Sequence, residues 1–102
     1  HYTLDAYALR VSDGDHTLAY SGDSGPADAL AEAARDVNLF VCEATLFSAA
    51  VERELRGHLT LDEARATFDA SGAERLLLTH RPAELDTPAG LDLARDGLVR
   101  DV

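Results

Sequence analysis

Lysine, isoleucine, glutamine, methionine and tryptophan are all absent from the 102 residues of this chain, and each absence narrows what it can be. With no lysine, all nine basic residues are arginine, a bias that reads as GC-rich coding more than as chemistry. With no methionine and an opening residue of His1, the chain is expected to be a fragment or a processed product. It holds no apolar run approaching the roughly 18 residues a membrane-spanning helix needs, and no signal peptide is visible. A soluble, cytoplasmic protein without a membrane partner is the expectation. Cysteine occurs once, at Cys42, so an intrachain disulfide is excluded and nothing argues for secretion. Its place after Leu39-Phe40-Val41 favours a small core residue over a nucleophile. Positive charge is scarce: the formal net charge is -10. Such a surface repels polyphosphate backbones and offers no basic stripe to neutralise them, so nucleic acid is a poor partner. Repeats, linkers and low-complexity segments are also missing. At this length the chain is one small domain, burying about two thirds of its unfolded surface.

What is present is organised around Tyr20-Ser21-Gly22-Asp23-Ser24-Gly25-Pro26. Residues 17–20 are mostly β-forming, and Ala27, Leu30, Ala31 and Ala34 recur at helical spacing, so Asp23 sits in a tight turn between a strand's carboxyl end and a helix start. Gly22 and Gly25 allow backbone conformations closed to bulkier residues, and Pro26 suits a first helical position. Two readings of Asp23 stay open: a carboxylate bonding its own turn, or one held for chemistry.

Upstream, residues 6–11 alternate, with Tyr7, Leu9 and Val11 on one face. The turn Ser12-Asp13-Gly14-Asp15 then predicts a β-hairpin with residues 17–20. The helix begun at Pro26 should end near Asp36. Residues 39–42 form a continuous apolar run, as expected of a strand covered on both faces, and deliver Glu43 at its end. Phe47, Ala50, Val51 and Leu55 suggest a second helix closed by Gly57, with His58 in the loop that follows. Thr60-Leu61-Asp62-Glu63 reads as a capping box opening a third helix, with Leu61, Ala64 and Phe68 buried and Gly72 as its stop. Residues 75–79 read as a buried strand handing over His80, residues 81–90 as loop, and residues 91–94 and 98–101 as a terminal hairpin around Arg95-Asp96-Gly97. The order is ββ, α, β, α, α, β, ββ. Asp23, Glu43 and His80 each directly follow an apolar strand, and chemistry in open α/β sheets gathers at strand carboxyl ends.

Five motifs in order carry a resemblance to a known family. Ser21-Gly22-Asp23-Ser24 resembles an SGDT motif, Cys42-Glu43-Ala44-Thr45 an HEAT motif, His58-Leu59-Thr60 an HST motif and Leu78-Thr79-His80 an LTH motif, while His1 with Asp5-Ala6-Tyr7-Ala8-Leu9-Arg10-Val11 looks like a ligand histidine and the strand after it. Together they resemble the metallo-β-lactamase fold hydrolases, in particular the ribonuclease Z-like and cyclic nucleotide phosphodiesterases. The resemblance implies an α/β fold, the C-terminal half of an αββα sandwich, with one mixed sheet and helices on one face. It implies that His1, Asp23 and His80 are metal ligands, Asp23 bridging two divalent ions. Zinc is the first choice, and manganese or iron is accepted by the same donors. His58 would be the proton donor and Glu43 its partner, although a solvated loop histidine is an equal reading of His58 from the residues alone. His16, in a polar turn, reads as surface.

The departures from that family are specific. Its HxHxDH motif is absent, and Cys42 stands where HEAT has histidine. The expectation is therefore a C-terminal fragment of a phosphodiesterase acting on small diesters or cyclic nucleotides, inactive as 102 residues alone, with the N-terminal half of the fold as its missing partner and self-association as a further expectation. The alternatives are a ribonuclease Z-type transfer RNA 3′ endonuclease and a non-catalytic interaction module keeping relic motifs.

Overall fold

Residues 8–23, 28–46, 58–82, 85, 90–99 and 101–102 are described by the computed structural model. The first two strands, β1 (Leu9–Ser12) and β2 (Thr17–Tyr20), pair antiparallel with Leu9 opposite Tyr20 and Ser12 opposite Thr17. The turn between them is set by Asp13, whose Oδ1 accepts the N–H groups of Asp15 at 2.9 Å and His16 at 2.8 Å, while Gly14 takes φ +98°. These two bonds hold the Asp13 carboxyl below the usual carboxylate range. His16 is exposed, as expected of a surface residue.

Next come α1 (Asp28–Ala33) and β3 (Leu39–Glu43), then α2 (Leu61–Ser71), β4 (Arg75–Thr79) and β5 (Asp92–Leu93). Among the described residues, five strands make one mixed sheet in the order β1-β2-β3-β4-β5, parallel from β2 onward. Parallel neighbours joined by helical crossovers are right-handed, so successive crossovers across a sheet in sequential order lay α1 and α2 on the same face. That face holds the core: Ala19, Phe40, Cys42 and Leu78 pack with Leu30 and Ala34 from the α1 segment and Ala64 from α2. Phe40, Cys42, Leu78, Ala34 and Ala64 have no solvent exposure. Arg10, in the same transverse row as Ala19 and Phe40, donates to the carbonyls of Ala33 at 3.0 Å and Arg35 at 2.9 Å, satisfying free carbonyls at the end of α1.

Side chains alternate between the faces of a strand, so Leu9, Val11, Leu18, Tyr20, Leu39, Val41 and Leu77 share the opposite face. Leu9 and Val11 do stand together there, but on the edge strand they are 56% and 59% exposed. The cap and stop of α2 are realised as read, while of the expected buried stripe Ala64 is fully buried and Leu61 and Phe68 are half-buried against the core. Thr60 Oγ1 accepts the Glu63 N–H at 3.2 Å, Glu63 Oε1 accepts the Thr60 N–H at 2.9 Å, and Gly72 closes the helix at φ +76°.

The terminal hairpin is a correction. Residues 92–93 pair in parallel with β4, and around Gly97 there is a turn, Leu98 N–H to Arg95 C=O at 3.0 Å, with no antiparallel ladder across that turn among the described residues. An isolated two-stranded hairpin is marginal in water, whereas the open edge of β4 offers ladder partners above a packed face. The expected helix over 47–55, its stop at Gly57, the strand start at residues 6–7, Pro26 and most of the 81–90 loop lie outside the described residues.

Gly72 is a point where the fold can be tested. A Cβ there would lie 2.6 Å from Asp36 Oδ1, and the left-handed conformation already disfavours any side chain. Gly72→Ala is expected to lower stability by about 1–2 kcal/mol, read as a shift of the urea midpoint with an unchanged m-value. An unaltered midpoint would contradict the role given to this residue.

Candidate metal and catalytic site

Because β2, β3 and β4 run parallel and side by side, their carboxyl ends open on one edge of the sheet. Ser21 leaves β2 with its N–H bonded to Val41 C=O at 2.9 Å, and the chain turns through Gly22 at φ +60° to present Asp23. Two strands away, β4 ends at Thr79 and His80 takes φ +52°. A non-glycine residue in the left-handed region is uncommon and tends to mark places where surrounding contacts over-determine the backbone. From these two turns the side chains reach across the end of β3, placing His80 Nδ1 2.6 Å from Asp23 Oδ1. Both are partly open to solvent, His80 52% and Asp23 39% exposed. Asp23 thus finds its partner across the sheet, and no backbone N–H bonds its carboxylate among the described residues.

Between them, β3 ends in Glu43, which has no solvent exposure. Its N–H donates to Ser21 Oγ at 3.0 Å, and that hydroxyl donates to Gly22 C=O at 2.7 Å. Its carboxylate is held at both oxygens. Oε2 accepts the Thr45 N–H at 3.0 Å, and Oε1 lies 3.1 Å from His58 Nδ1. An ionised carboxylate can only accept, so this contact requires the imidazole proton on Nδ1 and leaves Nε2 as the ring's other working atom. His58 is 22% exposed, neither buried nor fully solvated.

The structure therefore brings four of the five expected site residues into two pairs, Asp23 with His80 and Glu43 with His58. His1 lies outside the described residues, and among those described no cluster of three or more His, Cys, Asp or Glu side chains gathers as a metal site. Two contributors escape a reading of the sequence. Ser21 ties the end of β2 to the end of β3. Arg81 donates from Nη1 to Ala44 C=O at 3.0 Å and Leu46 C=O at 3.5 Å, a link spanning more than thirty residues of chain that no local pattern signals.

The model of the family described as "Beta-lactamase superfamily domain" matches residues 1–81. The chain belongs to the β-lactamase superfamily. Its fold is that of the metallo-β-lactamase proteins. Over 81 residues it is 35% identical to "Probable metallo-hydrolase YhfI" of Bacillus subtilis, a match covering 79% of this chain and 33% of that protein. The crystal structure of YhfI superposes with a TM-score of 0.69 at 30% identity over the same shares of the two chains. Ribonuclease Z of Halobacterium salinarum is 42% identical over 65 residues, 63% of this chain and 21% of that protein. A diphosphatase from the PhnP family superposes with a TM-score of 0.59 at 25% identity, covering 89% of this chain and 40% of that one. The chain thus spans about a third of the length of YhfI. The superfamily it joins is one of metal-dependent hydrolases, generally using divalent ions. Among the described residues no helix is long and apolar enough to cross a membrane.

Cys42 is the remaining reactive group near this edge, and it is shielded. Burial pushes its thiol up to about 12, the neighbouring Glu43 charge adding to the effect and a hydrogen bond with Ser21 opposing it. The unfolded thiol ionises near its ordinary value and the folded one stays protonated, so this residue withdraws stability as pH rises through that interval. In native protein at pH 8, Cys42 is expected to be inert to Ellman's reagent and to react fully once urea unfolds the chain. Rapid labelling of the native state would refute the assigned burial.

Proposed function

We propose that this chain carries part of a dinuclear metal-dependent phosphodiesterase, acting on small diesters such as cyclic nucleotides. The observation that carries the reading is the meeting of Asp23 and His80 across the end of β3, beside the buried Glu43–His58 pair. The donor types fit the group: a carboxylate and an imidazole lie side by side, His80 Nδ1 2.6 Å from Asp23 Oδ1, and once the proton between them is released both are donors that borderline divalent ions take, zinc first, with manganese or iron accepted. Asp23, with two oxygens, would bridge two ions, and His80 and His1 would each serve one. When bound, such ions supply Lewis acidity for activating water and neutralise charge on the phosphoryl group.

The chain's own residues do the rest. Glu43 accepts from His58 Nδ1 and fixes the ring, so that the imidazolium form can hand its Nε2 proton to the departing oxygen of the diester and be left as the neutral ring protonated on Nδ1. Thr45 N–H and the Ser21 hydroxyl hold Glu43 so that it orients the ring without swinging away. The apolar sheet face bearing Leu9 and Val11 supports packing against the remainder of the same fold, which would also bring the further ligands. In the intact protein, Asp23→Ala is expected to abolish turnover of bis(p-nitrophenyl) phosphate with loss of bound metal. His58→Ala should slow turnover by about 10²–10⁴-fold with metal content nearly intact. Equal metal loss in both variants, measured by elemental analysis, would take His58 out of the proton-donor role.

Ribonuclease Z activity is the second reading, favoured by the identity to the Halobacterium protein. Against it stand the net charge of -10 and the short β1–β2 connection: a major branch of ribonuclease Z enzymes carries between the corresponding strands a long arm that grips transfer RNA, and residues 13–16 leave no room for one there. The intact protein is expected to hydrolyse cyclic AMP in preference to precursor transfer RNA. Efficient 3′ cleavage of the RNA without cyclic nucleotide hydrolysis would reverse the assignment.

A further inference from the structure

Arg81 is the residue immediately after His80, and it turns its half-buried side chain back over the end of β3. Its Nη1 donates to the carbonyls of Ala44 and Leu46, which lie in the loop leaving Glu43. Main-chain bonds hold the other side of that loop. Ala44 N–H donates to Thr79 C=O at 3.0 Å, Leu46 N–H donates to Leu59 C=O at 3.0 Å, and Leu46 faces Thr60 in an isolated parallel bridge. Leu59 is the neighbour of His58. One guanidinium therefore connects the strand end bearing His80 to the loop that starts at Glu43 and is tied to the chain at His58.

The backbone at His80 needs such a connection. Its φ of +52° lies where a β-carbon is disfavoured, and residues persist there when neighbouring contacts leave no alternative. Arg81 supplies one of those contacts from the adjacent position. Arginine suits the task because its planar head keeps its charge and carries several donors in fixed directions, so two carbonyls can share one rigid group.

We propose that Arg81 is a positioning residue of this site: by clamping the Ala44 and Leu46 carbonyls it locks the left-handed turn at His80 and couples the Asp23–His80 pair to the Glu43–His58 pair. The proposal rests on the reading of these four residues as the hydrolytic centre, and it gives that centre a residue that touches neither metal nor substrate.

The test uses the intact protein with Arg81→Met, which keeps an unbranched apolar stem and removes every side-chain donor, Arg81→Lys, which keeps the charge and part of the donor set, and Phe68→Leu in α2 as a packing control. Zinc affinity is measured by competition with a chromophoric chelator, imidazole resonances by NMR on metal-free, histidine-labelled protein, and kcat and KM with bis(p-nitrophenyl) phosphate. Arg81→Met is expected to weaken zinc by roughly 10–100-fold, to shift the His58 and His80 resonances together without metal, and to lower kcat more than it raises KM. Arg81→Lys should recover part of each loss, while Phe68→Leu lowers Tm and leaves all three readouts in place. The clamp is overturned if Arg81→Met loses Tm as the control does yet keeps zinc affinity and both histidine signals. Wild-type protein that binds no zinc and hydrolyses no diester overturns the hydrolase reading instead, and the metal-free NMR comparison separates that result from failure of the clamp.

Discussion

A carboxylate with no exposure to water stands at the end of β3, and much of the surrounding edge is arranged to satisfy it. Burying an ionisable side chain without partners is costly, and a half-satisfied one is worse than an apolar residue in its place. Glu43 avoids this through Thr45 N–H, His58 and the Ser21 hydroxyl on its own N–H. Each partner is drawn from a different segment: its own loop, the segment before α2 and the turn after β2. Satisfying one residue therefore fixes three pieces of chain relative to one another. In the function proposed for this site, the outer ring nitrogen of His58 is the one that faces the substrate.

The sheet extends that arrangement to the Asp23–His80 pair. In a parallel ladder register sets the level of each strand: Thr79 lies opposite Glu43 but Tyr20 lies opposite Val41, so β2 ends short of β3 and the chain through Ser21 and Gly22 brings Asp23 up to the level of His80 on the other flank. Side chains from both flanks can then meet above its end. That meeting requires two turns that leave the sheet sharply, one through Gly22 and one through His80 itself. Glycine meets the requirement at no steric cost, whereas His80 takes it on with a β-carbon present and is held by its neighbours.

Much of this was legible in the sequence because the decisive signals are local. The capping box at Thr60, the stop at Gly72, the Gly14 turn and the apolar run ending in Glu43 each involve residues within a few positions of one another, and each forms where the pattern places it. The strand-end rule then located Asp23, Glu43 and His80 without any knowledge of pairing. What escaped depends on long-range choice. Residues 92–93 could close a local hairpin or join an open sheet edge, and nothing near Arg95-Asp96-Gly97 encodes that β4 has a free ladder with a core behind it. The carbonyl contacts of Arg81 are invisible for the same reason. So is the exposure of Leu9 and Val11, because alternation reveals which residues share a face and not what covers it.

Cys42 shows how a departure from a family pattern can be read through packing. It occupies the place of the first residue in an HEAT-like motif, and a histidine lost from such a motif would ordinarily suggest a lost ligand. Alternation along β3 sends residue 42 to the helix-covered face with Phe40, and there it is fully buried within the cluster formed by Leu30, Ala34 and Leu78. Glu43 points the other way. A thiol at this position serves as a small, weakly polar core residue, and its replacement of histidine takes no donor from the edge where Asp23 and His80 meet. The chemistry proposed for this chain is therefore independent of that substitution.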